Sequence, residues 1–291
     1  MDVRIERDIA FTKARIGFND GRGPMQEIDV ALDAYLPATP ATSAPALVLA
    51  FGGAFHRGSK EDDAFTAEVG RNTAIADYCR QFAARGIPSF STAYRLAQAD
   101  PEPPADRVLT EPDRIPMERI NLARRDFNLP AIAPAQMAGM MEAAFEDVAN
   151  AVRFVTANAG RFGIDPTRVV AGGFSAGARS AMYAAYAKRV PVAGVVALSG
   201  PMMPVDVERH VTSATAHPPL LAISGEKDLG YVCEYVPQNV AHMRTAGVDV
   251  EAVLLPGATH FYPATEPTPS GLTVIDTIAH SLERWVGPLP Q

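Results

Sequence analysis

The chain has 291 residues, 47% of them hydrophobic, with 33 acidic against 26 basic side chains and a formal net charge of −7. That length accommodates one large or two ordinary domains, and the apolar content is enough for a sizeable buried core. The acidic balance argues against nucleic acid as a partner, because phosphate binding needs a basic face. The densest basic pair, Arg124-Arg125, is followed at once by Asp126. The N-terminal stretch from Met1 to Asp8 is charged and lacks the apolar segment of a secretory leader. No run approaches the length that spans a bilayer, so a soluble, cytoplasmic protein is the expectation. Homo-oligomerisation is left open.

Taken in chain order, Val3–Phe11 and Glu27–Leu36 read as strands joined by a polar, Gly-containing turn. The run from Ala46 to Phe51 is continuously apolar, the pattern of a strand covered on both faces. A helix is predicted over Asn72–Arg85, with Ile75, Tyr78, Cys79 and Phe82 on one stripe and Gly86 as its stop. Cys79 is thereby a small buried hydrophobe. With Cys233 as the other cysteine, neither a disulfide framework nor a thiolate metal site is indicated. Ile87–Tyr94 is a further strand.

The segment Ala97–Gln136 breaks the rhythm. It carries seven prolines and many charges, and it is too long for a plain connector. It reads as a lid-like insert or a loop, with a short amphipathic helix within Ile115–Asn128 whose apolar residues are Met117, Ile120, Leu122 and Phe127. As a lid, these residues would cover an apolar acyl or alcohol group. Met137–Ala159 is helical, with Met141, Phe145, Val148, Val152 and Val155 at core spacing. Then come a strand over Val169–Gly172 and a helix after Gly177. Strands at Val192–Leu198, Leu220–Ser224 and Val248–Leu255 alternate with helices at Pro237–Ala246 and Leu272–Val286, the last with Ile275, Ile278, Leu282 and Trp285 inward. This alternation predicts an α/β fold: a doubly wound, mostly parallel sheet of about eight strands in one domain, 1–291.

The chemistry centres on Gly173-Phe174-Ser175-Ala176-Gly177, placed between a buried strand and a helix. Strand, tight turn and helix make a nucleophile elbow, with Ser175 at the apex and the helix N-terminus pointing free N–H groups at the reacting centre. A serine hydroxyl is a weak nucleophile and needs a base within hydrogen-bond reach. Of six histidines, only His260 lies in a loop just past the last sheet strand. The acid belongs on the loop after the preceding strand, where Gly225-Glu226-Lys227-Asp228 offers Asp228 first and Glu226 second. Oxyanion donors are expected from Gly53 and Ala54, after the strand ending at Phe51, and from the N–H of Ala176. Phe55, Met202 and Tyr262 are the tentative substrate-binding residues. A serine triad needs no cofactor or metal, and the histidines lack metal-ligand spacing.

The pieces Leu32–Pro37, Phe51–Phe55, Tyr94–Ala97, Asp165–Val169, Gly173–Gly177, Asp228 and His260 together resemble the α/β-hydrolases. The likeness is to the carboxylesterase branch that includes hormone-sensitive-lipase-like and feruloyl-esterase-like enzymes. The resemblance implies a serine carboxylic-ester hydrolase acting on a small or medium apolar ester. The alternatives are an amidase or aryl formamidase with the same triad, and a non-catalytic ligand receptor on the same fold. The branch's H-G-G-G is here Phe51-Gly52-Gly53-Ala54, which bears on the shape of the oxyanion loop. The 97–136 insert replaces a short connection in relatives, and the long N-terminal helical cap of the hormone-sensitive-lipase branch is not evident.

Overall fold

A computed structural model describes residues 2–18, 24–39, 42–67 and 70–289. Two long strands, β1 (Val3–Ile16) and β2 (Gln26–Pro37), pair antiparallel at one edge. Their predicted turn lies in part, at 19–23, outside the described residues. β3 (Ala44–Ala50) is buried at every position, as a strand covered on both faces must be. A two-stranded ribbon follows, β4 (Thr66–Ala67) with β5 (Gly70–Arg71). Then come α1 (Ile75–Ala84) and β6 (Ser89–Thr92). Ile75, Tyr78, Cys79 and Phe82 are all buried, as the stripe predicts.

The middle of the chain holds α2 (Met117–Asp126), α3 (Pro134–Ala157), α4 (Ala159–Phe162), β7 (Ile164–Phe174) and α5 (Ala176–Met182). A π-turn over Tyr183–Ala187 ends α5. The C-terminal part is β8 (Gly194–Leu198), α6 (Pro204–His210), β9 (Leu220–Lys227), α7 (Gly230–Thr245), β10 (Val250–Thr259) and α8 (Val274–Val286). The eight-stranded sheet runs β1-β2-β6-β3-β7-β8-β9-β10, and every pairing from β6 to β10 is parallel. From β3 the chain winds to β6 on one side and then returns to β7 on the other. The carboxyl ends of β3 and β7 therefore flank a crevice at the topological switch point, where such sheets place ligands.

Two expectations are corrected. The helix predicted to start at Pro237 starts at Gly230 and carries Pro237 in its interior. Burial of Val232 and packing of Val236 on the core hold the first turns in place despite the missing N–H. Trp285 is half-buried rather than fully inward. Its ring occupies the space beside Gly194, where a Cβ would lie 2.2 Å from it.

The insert at 97–136 is pinned by polar groups. Buried Glu142 of α3 accepts from the Val108 and Leu109 N–H groups, both at 2.6 Å. Buried Asp206 accepts from the Thr110 N–H at 3.0 Å and from its hydroxyl at 2.6 Å. Arg95, just before the insert, forms a buried pair with Asp147 at 2.9 Å and donates to the Glu102 and Arg15 carbonyls. That explains why Tyr94–Ala97 is a recognisable piece: its arginine ties the sheet, α3 and β1 together. Val108, Ile115, Ile120 and Ala123 are buried, whereas Leu122 and Phe127 are about 40% exposed. Leu122 and Phe127 thus stand outside the buried set, unlike Ile120, which the same amphipathic reading groups with them. α2 buries Ile120, Ala123 and Arg124 instead.

Candidate active site

The turn after β7 places Ser175 at φ 53°, ψ −114°, a strained conformation for a non-glycine residue. Its neighbours make the strain tolerable. A Cβ on Gly173 would lie 2.3 Å from the Ala50 carbonyl oxygen, and one on Gly177 would lie 2.1 Å from the same atom. Only glycine lets the elbow sit this close to β3. The Ser175 N–H donates to Leu198 O at 2.7 Å, which ties the elbow to β8 as well.

His260, past β10, brings Nε2 to 3.0 Å from Ser175 Oγ. Its Nδ1 lies 2.6 Å from Asp228 Oδ1. Because Asp228 is acceptor-only when ionised, Nδ1 carries the proton and Nε2 is free to accept the serine's. The Asp228 side chain is fully buried and takes three further donors: the Leu229 N–H at 2.7 Å, the Gly225 N–H at 3.2 Å and the Ser199 hydroxyl at 2.6 Å. The second-choice acid, Glu226, is exposed and accepts from the Gly257 N–H at 2.7 Å.

Gly53, Ala54 and Phe55, after β3, all have positive φ, at 125°, 53° and 63°. This turn faces Ser175 across the crevice, and among the described residues nothing accepts from the Gly53, Ala54 or Ala176 N–H groups. The departure at Phe51 is absorbed by aromatic packing. Phe51 stacks on Tyr94 with centroids 4.3 Å apart, and the Tyr94 hydroxyl donates to Phe51 O at 3.0 Å. Below the turn, Asp63 accepts from the Gly52 N–H at 2.8 Å and the Ile75 N–H at 2.7 Å. Behind it, His56 Nδ1 donates to Ala54 O at 2.8 Å, and its Nε2 accepts from Arg124 Nη1 of the insert at 3.1 Å. Burial first, and the Arg124 and Arg57 charges after it, hold His56 below the ordinary histidine range, so it stays neutral in this bridge.

Burial raises the Asp63 carboxyl to about 6, against an ordinary 3.8. A raised carboxyl contributes stability that is present below the unfolded value and lost as pH rises through the folded one. The contribution of Asp63 is thus complete below pH 3.8 and gone above about pH 6. Asp63→Asn should remove this pH-dependent part, on the order of 3 kcal/mol by the constant relating pKa to free energy. Melting curves from pH 4 to 8 should show the difference between wild type and variant changing through this window. A constant difference would mean that Asp63 does not titrate there.

Two cavities flank Ser175. One of about 150 Å³ is lined by Gly53, Arg57, Phe65, Phe174, His260 and Phe261, among others. The other, of about 30 Å³, is lined by Phe55, Pro116, Arg119, Ile120, Ala176, Arg179 and Tyr231, with Ala54 and Ser175. The tentative substrate residue Phe55 lines the smaller one. Met202 and Tyr262 lie outside both. Met202 is fully buried below the cleft, and its carbonyl accepts from Asn239. Tyr262 is buried behind the acid, its hydroxyl 3.1 Å from both Ser199 Oγ and Ile223 O. Three arginines in the walls also make the cleft less apolar than expected.

Among the described residues, one carboxylate group, Asp8, Asp33 and Glu61, is close enough to hold a cation. The Lys60 ammonium occupies it, 2.8 Å from both aspartates and in contact with Glu61. No helix among them is long and apolar enough to cross a membrane.

Residues 124–265, the span that holds Ser175, Asp228 and His260, match the sequence model of the phospholipase/carboxylesterase family. Similar solved structures include the esterase Est2 of the Planctomycetes species Thermogutta terrifontis. Its native form is 17% identical, with a TM-score of 0.64 over 99% of this chain and 94% of that one. The chain has the α/β-hydrolase fold. The propionate-bound form of Est2 is 18% identical, with a TM-score of 0.64 over 99% and 96% of the two chains. The form phosphonylated by cyclosarin is 17% identical, with a TM-score of 0.66 over the same shares. No curated protein matches the chain.

Within this hydrolase fold, sequence reasoning missed Ser199, Asp63, the His56–Arg124 bridge, Arg119 and Arg179. Ser199 follows β8 directly, as Asp228 follows β9, so position at a strand's carboxyl end was its available signal. The arginines had none, because a lone arginine in a helix reads as surface.

Proposed function

We propose that the chain is a serine hydrolase that cleaves carboxylic esters through an acyl-enzyme. The observation that carries this reading is the line Ser175 Oγ, His260, Asp228, at 3.0 and 2.6 Å. Ser175 Oγ attacks the ester carbonyl while His260 Nε2 takes its proton, and Asp228 stabilises the resulting imidazolium. The carbonyl oxygen becomes an oxyanion that accepts from the N–H groups of Gly53, Ala54 and Ala176. The imidazolium then protonates the departing alkoxide, leaving Ser175 acylated. Water then attacks the acyl carbon as the same imidazole takes its proton, and the imidazolium returns that proton to Ser175 Oγ as its bond to the acyl carbon breaks and the acid leaves.

In this reading the whole chain serves as one hydrolase domain of the carboxylesterase branch. The segment 97–136 is its lid, since Pro116, Arg119 and Ile120 wall the smaller cavity. The restricted cleft favours short acyl groups, and the propionate held by the Thermogutta esterase supports that size. A panel of activated esters from acetate to decanoate should therefore peak at short chains, with matched anilides turned over far more slowly. Comparable rates on esters and anilides would favour the amidase reading, and a peak at the longest chains would overturn the short-acyl assignment.

A further inference from the structure

Among the described residues, Arg119 and Arg179 beside Ser175 have no carboxylate partner, in a chain whose net charge is −7. Arg179 lies one turn past the elbow in α5 and is only 4% exposed. Its guanidinium donates through Nε to Pro201 O at 2.8 Å and lies 5.0 Å from the Tyr231 ring centre, yet Nη2 is buried without an acceptor. A buried donor left unmatched is destabilising unless something else supplies the oxygen. Arg119, from the insert, reaches the same small cavity from the opposite wall. Neither arginine has a carboxylate within ion-pair distance among the described residues. The nearby acids are engaged elsewhere: Asp228 by its four donors, Asp63 by two backbone N–H groups, and Asp126 on the surface 3.9 Å from Arg57. Arg57, which lines the larger cavity with Arg119, is held below the ordinary arginine range first by burial and then by the Arg119 charge, with Asp126 acting against both.

We propose that Arg119 and Arg179 form a carboxylate-binding subsite beside Ser175, so that the preferred substrates are esters bearing a negative charge on the acyl or alcohol part. This deepens the serine-hydrolase reading and rests on it. A guanidinium pair matches the planar fork of a carboxylate, and partial burial makes such contacts stronger than at an open surface. Pro116 and Ile120 exclude water on one side, and Phe55 does so on the other.

The test compares para-nitrophenyl hemiglutarate with its neutral methyl-ketone isostere, at fixed ionic strength and with the uncatalysed rate subtracted. Acetylated hydroxy acids against acetylated neutral alcohols form the second arm and separate an acyl-side from an alcohol-side charge. The expected result is a preference of about ten- to a hundredfold in kcat/KM for the charged member in one arm, expressed mainly in KM. Arg119→Met and Arg179→Met should each bring that ratio towards one. Because Arg179 also holds Pro201, a folding defect in its variant would mimic a lost subsite, so Arg119→Glu gives an independent reading: it should turn the preference towards an ester with a trimethylammonium-ended acyl chain. A wild-type ratio at or below one in both arms, or ratios unchanged by the Arg119 variants, would overturn the subsite. If no ester is turned over faster by wild type than by Ser175→Ala, the hydrolase reading itself fails. Calorimetric titration with glutarate then decides the subsite alone: binding lost in Arg119→Met sustains it, and absence of binding to wild type ends it.

Discussion

Ser175→Ala should abolish ester turnover, lowering kcat by about 10⁴- to 10⁶-fold while leaving the melting temperature close to that of wild type. The hydroxyl is the atom that forms the bond to the acyl carbon, and His260 cannot replace it from 3.0 Å away. The fold has little stake in the hydroxyl, because its contacts are with His260 and the Tyr231 hydroxyl and the elbow is held by backbone: Ser175 N–H to Leu198 O, and Arg179 N–H to Ser175 O. Alanine keeps that backbone at the same φ. A phosphonate ester should label wild-type protein once, at Ser175, and leave the variant unlabelled by intact-mass measurement. Labelling at a second serine, or substantial turnover by the variant, would remove Ser175 from the mechanism.

Asp228→Asn should be the next largest loss, on the order of 10⁴-fold in kcat. The carboxylate meets four donors, from His260 Nδ1, Leu229, Gly225 and Ser199. An amide offers one oxygen and turns its NH₂ towards a group that also wants to donate. If the NH₂ faces His260, it favours the tautomer with the proton on Nε2, the one that cannot accept from Ser175. If it faces Ser199 instead, the imidazolium still loses its full counter-charge. Glu226→Gln is the internal control. Glu226 is exposed, and glutamine retains an oxygen for the Gly257 N–H, so kcat should change by less than about threefold. The reverse pattern, with a damaging Glu226 change and a mild Asp228 change, would reassign the acid. Both variants should be compared by circular dichroism, so that a folding defect is not read as a catalytic one.

Much of the site was legible in the sequence because each part sits at the end of a strand in a fixed order. The apolar runs at Ala46–Phe51, Val169–Gly172 and Leu220–Ser224 mark buried strands. In a parallel sheet their carboxyl ends share one edge, so Gly53, Ser175 and Asp228 had to converge. The elbow glycines marked the close approach to β3, and the register of β7 on β3 places Gly173 opposite Ala50. Asp228, offered first among the acids after that strand, lies 2.6 Å from His260 Nδ1 in the structure.

Only the tertiary structure decided what surrounds that line. The insert lacks the long-range periodicity that a sequence window detects. It is held by single carboxylates from distant elements, Glu142 and Asp206, whose partners lie 33 to 34 and 96 residues away. Leu122 and Phe127 were read as lid residues from their hydrophobicity alone. Anchoring of Arg124 to His56 and Pro130 rotates α2 so that Ile120 faces in and they face out. Met202 and Tyr262, named tentatively as substrate residues, are buried outside both cavities: the Met202 carbonyl accepts from Asn239, and the Tyr262 hydroxyl bonds Ser199 and Ile223 beside the acid. Arg119 and Arg179 come from α2 and α5, 60 residues apart, and they line one cavity because the insert folds back over the elbow. Strand order and the nucleophile's turn are local properties of the chain. The charge and shape of the space above the serine are sums over distant segments, which only the packed molecule brings to one point.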